Sequence, residues 1–385
     1  MINRNTRFHR RVRDSWFRQQ LSIRPLPVWV LVALDVLLIG ISLVVFALFH
    51  HVIPHSEEST GIVSTRPGAA YTEEVSETPM PLDVEAADES TSEDETVEAE
   101  PLALNPADAE AVEAGQIAEA VTPEPTQAAP VGYFGNKFPD KFSDGEITKT
   151  NNSYKSANVN ITINRYEYDE STFYYADIYI KDISCFQTAF AQNRFAQGIV
   201  ETPEEMNHRA GGVLAMNGDY YGTRKDGVVI RNGELYRNKH VSLDVCVLYW
   251  DGTMETYSRK EFNAKEAMEK GAYQAWNFGP RLLDEEGQPM KRFSNASIGP
   301  RNPRTVLGYF EPGHYCFVVV DGRSNSSSGL TIKVLAKLMS QLGCVRAYNM
   351  DGGSTSMMLI GDKVISKPAG GGRSSSDIIL IKDIT

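Results

Sequence analysis

The sequence has little from which to build a metal centre or a disulfide scaffold. Its 385 residues hold four cysteines and seven histidines, and no spacing among them resembles a zinc site. No long internal repeat is visible, so the chain is not read as a repeat array. Residues 55–130 carry a single arginine and a single aromatic ring, Tyr71, against 19 Asp and Glu. Such a stretch cannot bury enough apolar surface to offset its ordering entropy, and like charges extend it. It reads as a disordered acidic tether over 50–130. With it set aside, residues 131–385 hold 30 Lys and Arg against 29 Asp and Glu. The outer part is near neutral, offers no basic face for nucleic acid, and is long enough for one domain with a full core.

One apolar run stands out, Val28 to Phe49, interrupted by the single charge Asp35. A helix of that length rises about 33 Å, enough for a hydrocarbon core of roughly 30 Å. A secretory leader would have a shorter apolar stretch and a small-residue cleavage site, whereas Phe46, Phe49, His50 and His51 close this run. The reading is therefore an uncleaved anchor over 28–49. Arginines cluster before it, at Arg4, Arg7, Arg10, Arg11, Arg13, Arg18 and Arg24. The positive-inside rule then places a basic tail, 1–27, in the cytoplasm and everything beyond the anchor outside the cell membrane. All four cysteines, Cys185, Cys246, Cys316 and Cys344, fall in the outer domain. That location permits disulfides, with three pairings open. Equally, Cys246 and Cys316 sit in apolar runs where each could be a small buried hydrophobe.

Along the outer domain, VNITINRYEY and TFYYADIYI alternate as strands do. Asn232-Gly233 and Asp251-Gly252 are hairpin signatures between further strands, and KEFNAKEAMEKGA reads as a helix. Residues 185–209 read as helical or irregular. The fold class is α+β, a mixed sheet core with flanking helices and a strand–helix–strand unit at 315–352. In that unit YCFVVVDGR ends a buried strand at Asp321. Leu330, Val334, Leu335, Leu338, Met339 and Leu342 then form a stripe at helical spacing, and CVRAYNMDGG ends a second strand at Asp351. Such a crossover makes its two strands parallel. Asp321 and Asp351 should then reach one edge of the sheet, where open sheets bind ligands. The helix start after Ser326, Ser327 and Ser328 falls at that edge, a natural seat for an anion. Arg323 adds a guanidinium that can fork onto a phosphate.

Taken singly, Asn217-Gly218-Asp219, Asp321-Gly322-Arg323 and Asn349-Met350-Asp351-Gly352-Gly353-Ser354 are ordinary turn chemistry. Their order along the chain is more telling. MNGDYY, GPRLL, NPRT, DGR with its helix, LGCVRAYNMDGGSTSMM, and a closing arginine before DIILI together resemble the phosphodiester glycosidase family, whose members cleave a sugar from a phosphodiester. The resemblance covers about residues 205–385. It implies Asp351, Asp321 and Asp219 as catalytic candidates, and Asn217, Arg304, Arg323, Asn349, Gly352, Gly353, Ser354 and Arg373 as substrate- or phosphate-binding ones. It implies a sugar-phosphate or envelope glycan as substrate and no cofactor. Oxygen ligands on paired Asp, Asn and Ser residues can hold Ca²⁺, but no compact ligand motif marks one, and a metal is not expected to be essential. The other reading is a non-catalytic, membrane-tethered module binding glycan or anionic polymer, since a family fold does not guarantee activity.

Overall fold

The computed structural model of the chain describes residues 27–47, 55–56, 58–67, 130–294 and 296–384. The basic tail, save Pro27, and most of the acidic segment lie outside the described residues. Val28–Ala47 forms a 20-residue α-helix, as the apolar run leads one to expect. Its side chains are described as far as Val44 and are nearly all exposed. Among the described residues no helix is long and apolar enough to cross a membrane, so the anchor expected over 28–49 is not found within them.

Residues 130–384 fold around three antiparallel sheets of seven, six and five strands, one strand of the six coming from Ile62–Val63. The seven-stranded sheet runs in the order Arg346–Asn349, Arg304–Glu311, His314–Val320, Ser171–Ile180, Val159–Tyr168, Ser153–Lys155 and Thr148–Lys149. Its position explains the uninterrupted apolar run HYCFVVV. Tyr315, Phe317 and Val319 point into a core shared with the other two sheets. Cys316, Val318 and Val320 point the opposite way, under the helix Ile332–Gln341, against Leu335, Ala336, Leu338 and Met339. A strand buried on both faces has no reason to alternate.

The strand–helix–strand unit is present, with one addition. The strands His314–Val320 and Arg346–Asn349 do run parallel, but they are not neighbours: Arg304–Glu311 lies between them, antiparallel to both. The inserted strand brings the NPRT motif to the edge where Asp321 and Asp351 emerge. The short helix Ala264–Glu269, capped by Asn263, and the hairpin at Asn232-Gly233, both residues with positive φ, follow the sequence expectation. Residues 185–209 differ from it. Phe186–Phe190 is a strand paired with the C-terminal strand Asp377–Ile381. A helix, Pro203–Ala210, follows with a full capping box between Thr202 and Glu205. The strand was illegible locally because its pairing partner lies nearly two hundred residues on.

All four cysteines are free and buried. The Cys316 and Cys344 sulfurs lie 3.7 Å apart, too far for a bond of about 2.05 Å.

The acidic segment also departs from expectation. Within its span, Ile62–Val63 pairs antiparallel with Glu234–Asn238 and adds a sixth strand to a sheet of the domain. Thr60 N–H donates to Leu235 O and Ser64 N–H to Gly233 O. Trp250 Nε1 donates to Ser64 O at 3.0 Å, and Arg66 forks onto Asp182, with the closer contact at 2.7 Å. Arg66 Nε also donates to Val131 O. Arg66 and Val131, on either side of residues 68–129, therefore lie against each other.

Candidate active site

The edge that carries the candidate residues is organised around Pro303. A Cβ on Gly322 would lie 2.9 Å from Pro303 N, and one on Gly352 would lie 2.8 Å from Pro303 O. Both Asp-Gly strand ends thus press on the same backbone, which only glycine allows. Asp321 and Asp351 leave the sheet on either side of this strand, their backbones about 10 Å apart by two strand spacings. No bond among the described residues joins their carboxylates.

Asp351 is the better-formed centre. Its side chain is 12% exposed, at the C-terminal end of Arg346–Asn349. Thr355 Oγ1 donates to Oδ2 at 2.8 Å and Gly352 N–H to Oδ1 at 2.9 Å. The Arg373 guanidinium stands 3.4 Å from Oδ2. Burial raises the Asp351 pKa, while Thr355, Arg373 and Gly352 pull it back and Asp219 adds to the rise. A carboxylate that is partly desolvated, anchored on one side and reachable on the other has the character of a nucleophile or base. Arg323 and Ser354 flank the same loop: Arg323 Nη1 is 3.5 Å from Ser354 Oγ, and its Nε donates to Asn302 Oδ1. Both arginines are exposed: Arg373 stands beside the Asp351 carboxylate and Arg323 against the Gly353–Ser354 turn that follows it.

Asp321 sits in an adjoining environment. Lys367 N–H donates to its Oδ1 at 2.8 Å, Ser327 Oγ donates to its carbonyl, and burial raises its pKa against the pull of Lys367 and Arg165.

Other expected site residues are placed differently. Asp219 is fully buried. Its oxygens accept from Arg231 Nη2 at 3.0 Å, Tyr221 N–H at 3.2 Å and Asn277 N–H at 2.9 Å. Arg231 joins it to Asp377 at 2.8 Å, and this buried triad leaves Asp219 no access to a reacting atom. Gly218 is packed so closely on Asp377 that a Cβ would fall 2.0 Å from Oδ1. Arg304 is likewise buried. Its guanidinium donates to the carbonyls of Leu330, Ile298 and Pro300, and desolvation lowers its pKa to about 10. It ties loops together and does not face a phosphate. The amides of Gly352 and Gly353 are taken up by Asp351 Oδ1 and Pro303 O. The helix begins later than expected, at Ile332 with Thr331 as its cap, and Ile332 N–H donates to Gly299 O. The expected anion seat at its start is thus already bonded within the protein.

Asn217 is fully buried and works on the loop. Its Nδ2 donates to Asp351 O at 2.8 Å, and its Oδ1 accepts from Thr305 Oγ1 and Met357 N–H. Asn349 Nδ2 donates to Gly279 O and Met350 O, while its buried Oδ1 has no partner among the described residues. Sequence reasoning carried Thr305 in the NPRT motif, gave Thr355 no role and missed Arg231. Thr355 lay in plain view four residues after Asp351, but Arg231 sits in a hairpin with no motif of its own. Among the described residues no group of three or more His, Cys, Asp or Glu side chains is placed to hold a metal ion.

The phosphodiester glycosidase family model matches residues 210–382, which contains each of these site residues. An uncharacterized SPbeta prophage-derived protein of Bacillus subtilis is 31% identical over 180 residues, 44% of this chain. The chain spans only 28% of that relative's length. Among solved structures, the catalytic domain of zebrafish N-acetylglucosamine-1-phosphodiester alpha-N-acetylglucosaminidase, auto-inhibited by its pro-peptide, is similar at a TM-score of 0.49 and 17% identity, covering 63% of this chain and 86% of that one. A hypothetical protein from Synechocystis is similar at 0.46 and 12%, covering 58% and 62%.

Proposed function

We propose that the chain is a phosphodiester glycosidase that hydrolyses the bond between an anomeric carbon and a phosphodiester oxygen. The observation that carries this reading is Asp351, a largely buried carboxylate bonded to Thr355 and paired with Arg373, with Arg323 on the turn that follows it, inside the matched region. In the proposed reaction the Asp351 carboxylate either attacks the anomeric carbon, forming a glycosyl ester that water then cleaves to free sugar, or takes a proton from the water that attacks. The glycosidic C–O bond breaks and its electron pair leaves with the phosphate as a monoester. A phosphate monoester is already a competent leaving group, so cations matter more than a strong general acid. Arg323 and Arg373 supply them where charge develops. Asp321 is proposed as the second carboxylate of the pair that glycoside hydrolysis uses. Asn217 holds the Asp351 loop by its backbone, a positioning task and not a contact with sugar.

The test is release of free sugar from a panel of sugar-1-phosphodiesters by the full chain and by Asp351→Asn. Release by the parent and a loss of at least a thousandfold in the variant are expected. A folded Asp351→Asn that keeps its turnover would remove Asp351 from the mechanism. A folded parent that releases nothing but binds an envelope glycan would favour a binding module instead.

We further propose that the protein works outside the cytoplasm, held at the membrane by the apolar run 28–49, which continues past the described side chains. The arginine cluster before an apolar run with one charge supports this. Carbonate washing of membranes from producing cells should leave the chain in the pellet, and recovery in the wash would defeat the proposal.

A further inference from the structure

The loop after Asn217 contains a residue whose backbone and exposure are both out of keeping with its type. Tyr220 adopts φ 70 and ψ 20, the left-handed conformation that suits glycine. Its neighbours explain how it is held there. Asp219 is fixed by Arg231 and by two backbone amides. Tyr221 is buried, with its ring stacked on Phe195 at 5.2 Å. The Tyr220 carbonyl accepts from Thr223 Oγ1. Pinned on both sides, the chain throws the residue between them outward, and Tyr220 is left 37% exposed. Strain of this kind collects where a ligand is clamped or a reacting group is set. The ring does not point into empty surroundings: the Arg373 guanidinium lies 5.7 Å from its centroid, and the same guanidinium is the one beside Asp351.

We propose that Tyr220 is the platform on which the substrate's sugar ring rests, and so a determinant of affinity and sugar preference. This rests on the reading of the site as one that takes a sugar phosphodiester. A pyranose presents a face of axial C–H groups, weakly positive, which complements the negative face of an aromatic ring. Arg373, shared by Tyr220 and Asp351, sets the distance between the platform and the carboxylate. It would meet the phosphate on one side of the sugar while Asp351 meets the anomeric carbon. Tyr220 touches substrate but exchanges no proton with it.

Three variants test this. Tyr220→Gly removes the ring and relieves the left-handed backbone, so it should fold at least as well as the parent. It should raise KM for a turned-over phosphodiester about tenfold while kcat stays within about threefold. Tyr220→Phe should behave as the parent, because the ring and not the hydroxyl is used. If Tyr220→Gly keeps the parent's KM, or lowers kcat and shifts the pH profile with KM unchanged, the ring serves only to hold Arg373 and the platform is overturned. Should the parent turn over no phosphodiester at all, Tyr220→Trp gives an independent reading. Its emission, titrated with free N-acetylglucosamine and with glucose, should change saturably for at least one of them. No change with either sugar overturns the proposal whatever the fate of the hydrolytic reading.

Discussion

Asp351 and Asp219 look alike in the sequence, each in a polar turn after an apolar strand, and the structure separates them by what lies opposite. Asp219 meets Arg231, a cation as buried as itself. Asp351 meets Arg373, whose side chain is 52% exposed. The first is a pair locked for structure; the second is an anion whose cation stays in water and can turn to a substrate. This difference was not legible in the sequence, because it depends on which arginine the fold delivers. The carboxylates and their order were legible. A pH dependence follows. Burial raises the Asp351 pKa and the proposed working form is the anion, so activity should be present above that raised pKa and lost as pH falls through it. The acid limb of kcat/KM should then lie higher than an ordinary aspartate, near ~3.9, would give. Arg373 favours the anion, so Arg373→Gln should move the limb further up in pH, besides slowing turnover. A limb that stays in place would mean that another group titrates.

At the scale of elements, the periodic stripe from Leu330 to Leu342 and the two Asp-terminated strands were readable, as was their parallel direction. The strand inserted between them was not. RTVLGYF announces a strand but says nothing of its neighbours, and a crossover helix constrains direction more than adjacency. The insertion gives Arg304 its task. Standing at the start of that strand, it gathers the carbonyls of Ile298, Pro300 and Leu330, fixing the loop before the strand to the segment that begins the helix. Arg304→Ala would leave buried acceptors without donors and should lower stability by about 3 kcal/mol in urea unfolding. At temperatures where the variant remains folded, KM for a phosphodiester should stay within about twofold of the parent's. A large rise in KM with stability intact would return Arg304 to the substrate.

At the scale of the whole molecule, composition alone made residues 50–130 one acidic spacer, and for 55–56 and 58–67 that reading fails for a physical reason. The acids crowd the later part of the segment, while Thr60, Ile62, Val63 and Ser64 form a short run that can complete a sheet edge. An edge strand needs little apolar surface when backbone bonds and one aromatic partner hold it. His55–Ser56 already pairs with Ala196–Gln197, so contact with the domain begins shortly after the N-terminal helix, and Arg66 and Val131, on either side of residues 68–129, meet beside Asp182. A chain beginning at residue 131, the natural choice from composition, would lack this strand. It would expose Leu235 O and Gly233 O and deprive Trp250 Nε1 of its acceptor. With net gains of ~1 kcal/mol per hydrogen bond, residues 131–385 should unfold about 3 kcal/mol more easily in urea than residues 58–385, with altered Trp250 emission before unfolding begins. Arg66→Ala in the longer chain should show part of the same loss, since it removes the ion pair with Asp182 and the bond to Val131 O but leaves the strand in place. Equal urea midpoints for the two chains would mean that the strand rests on the domain without contributing to it. The acidic segment would then be a spacer along its whole length.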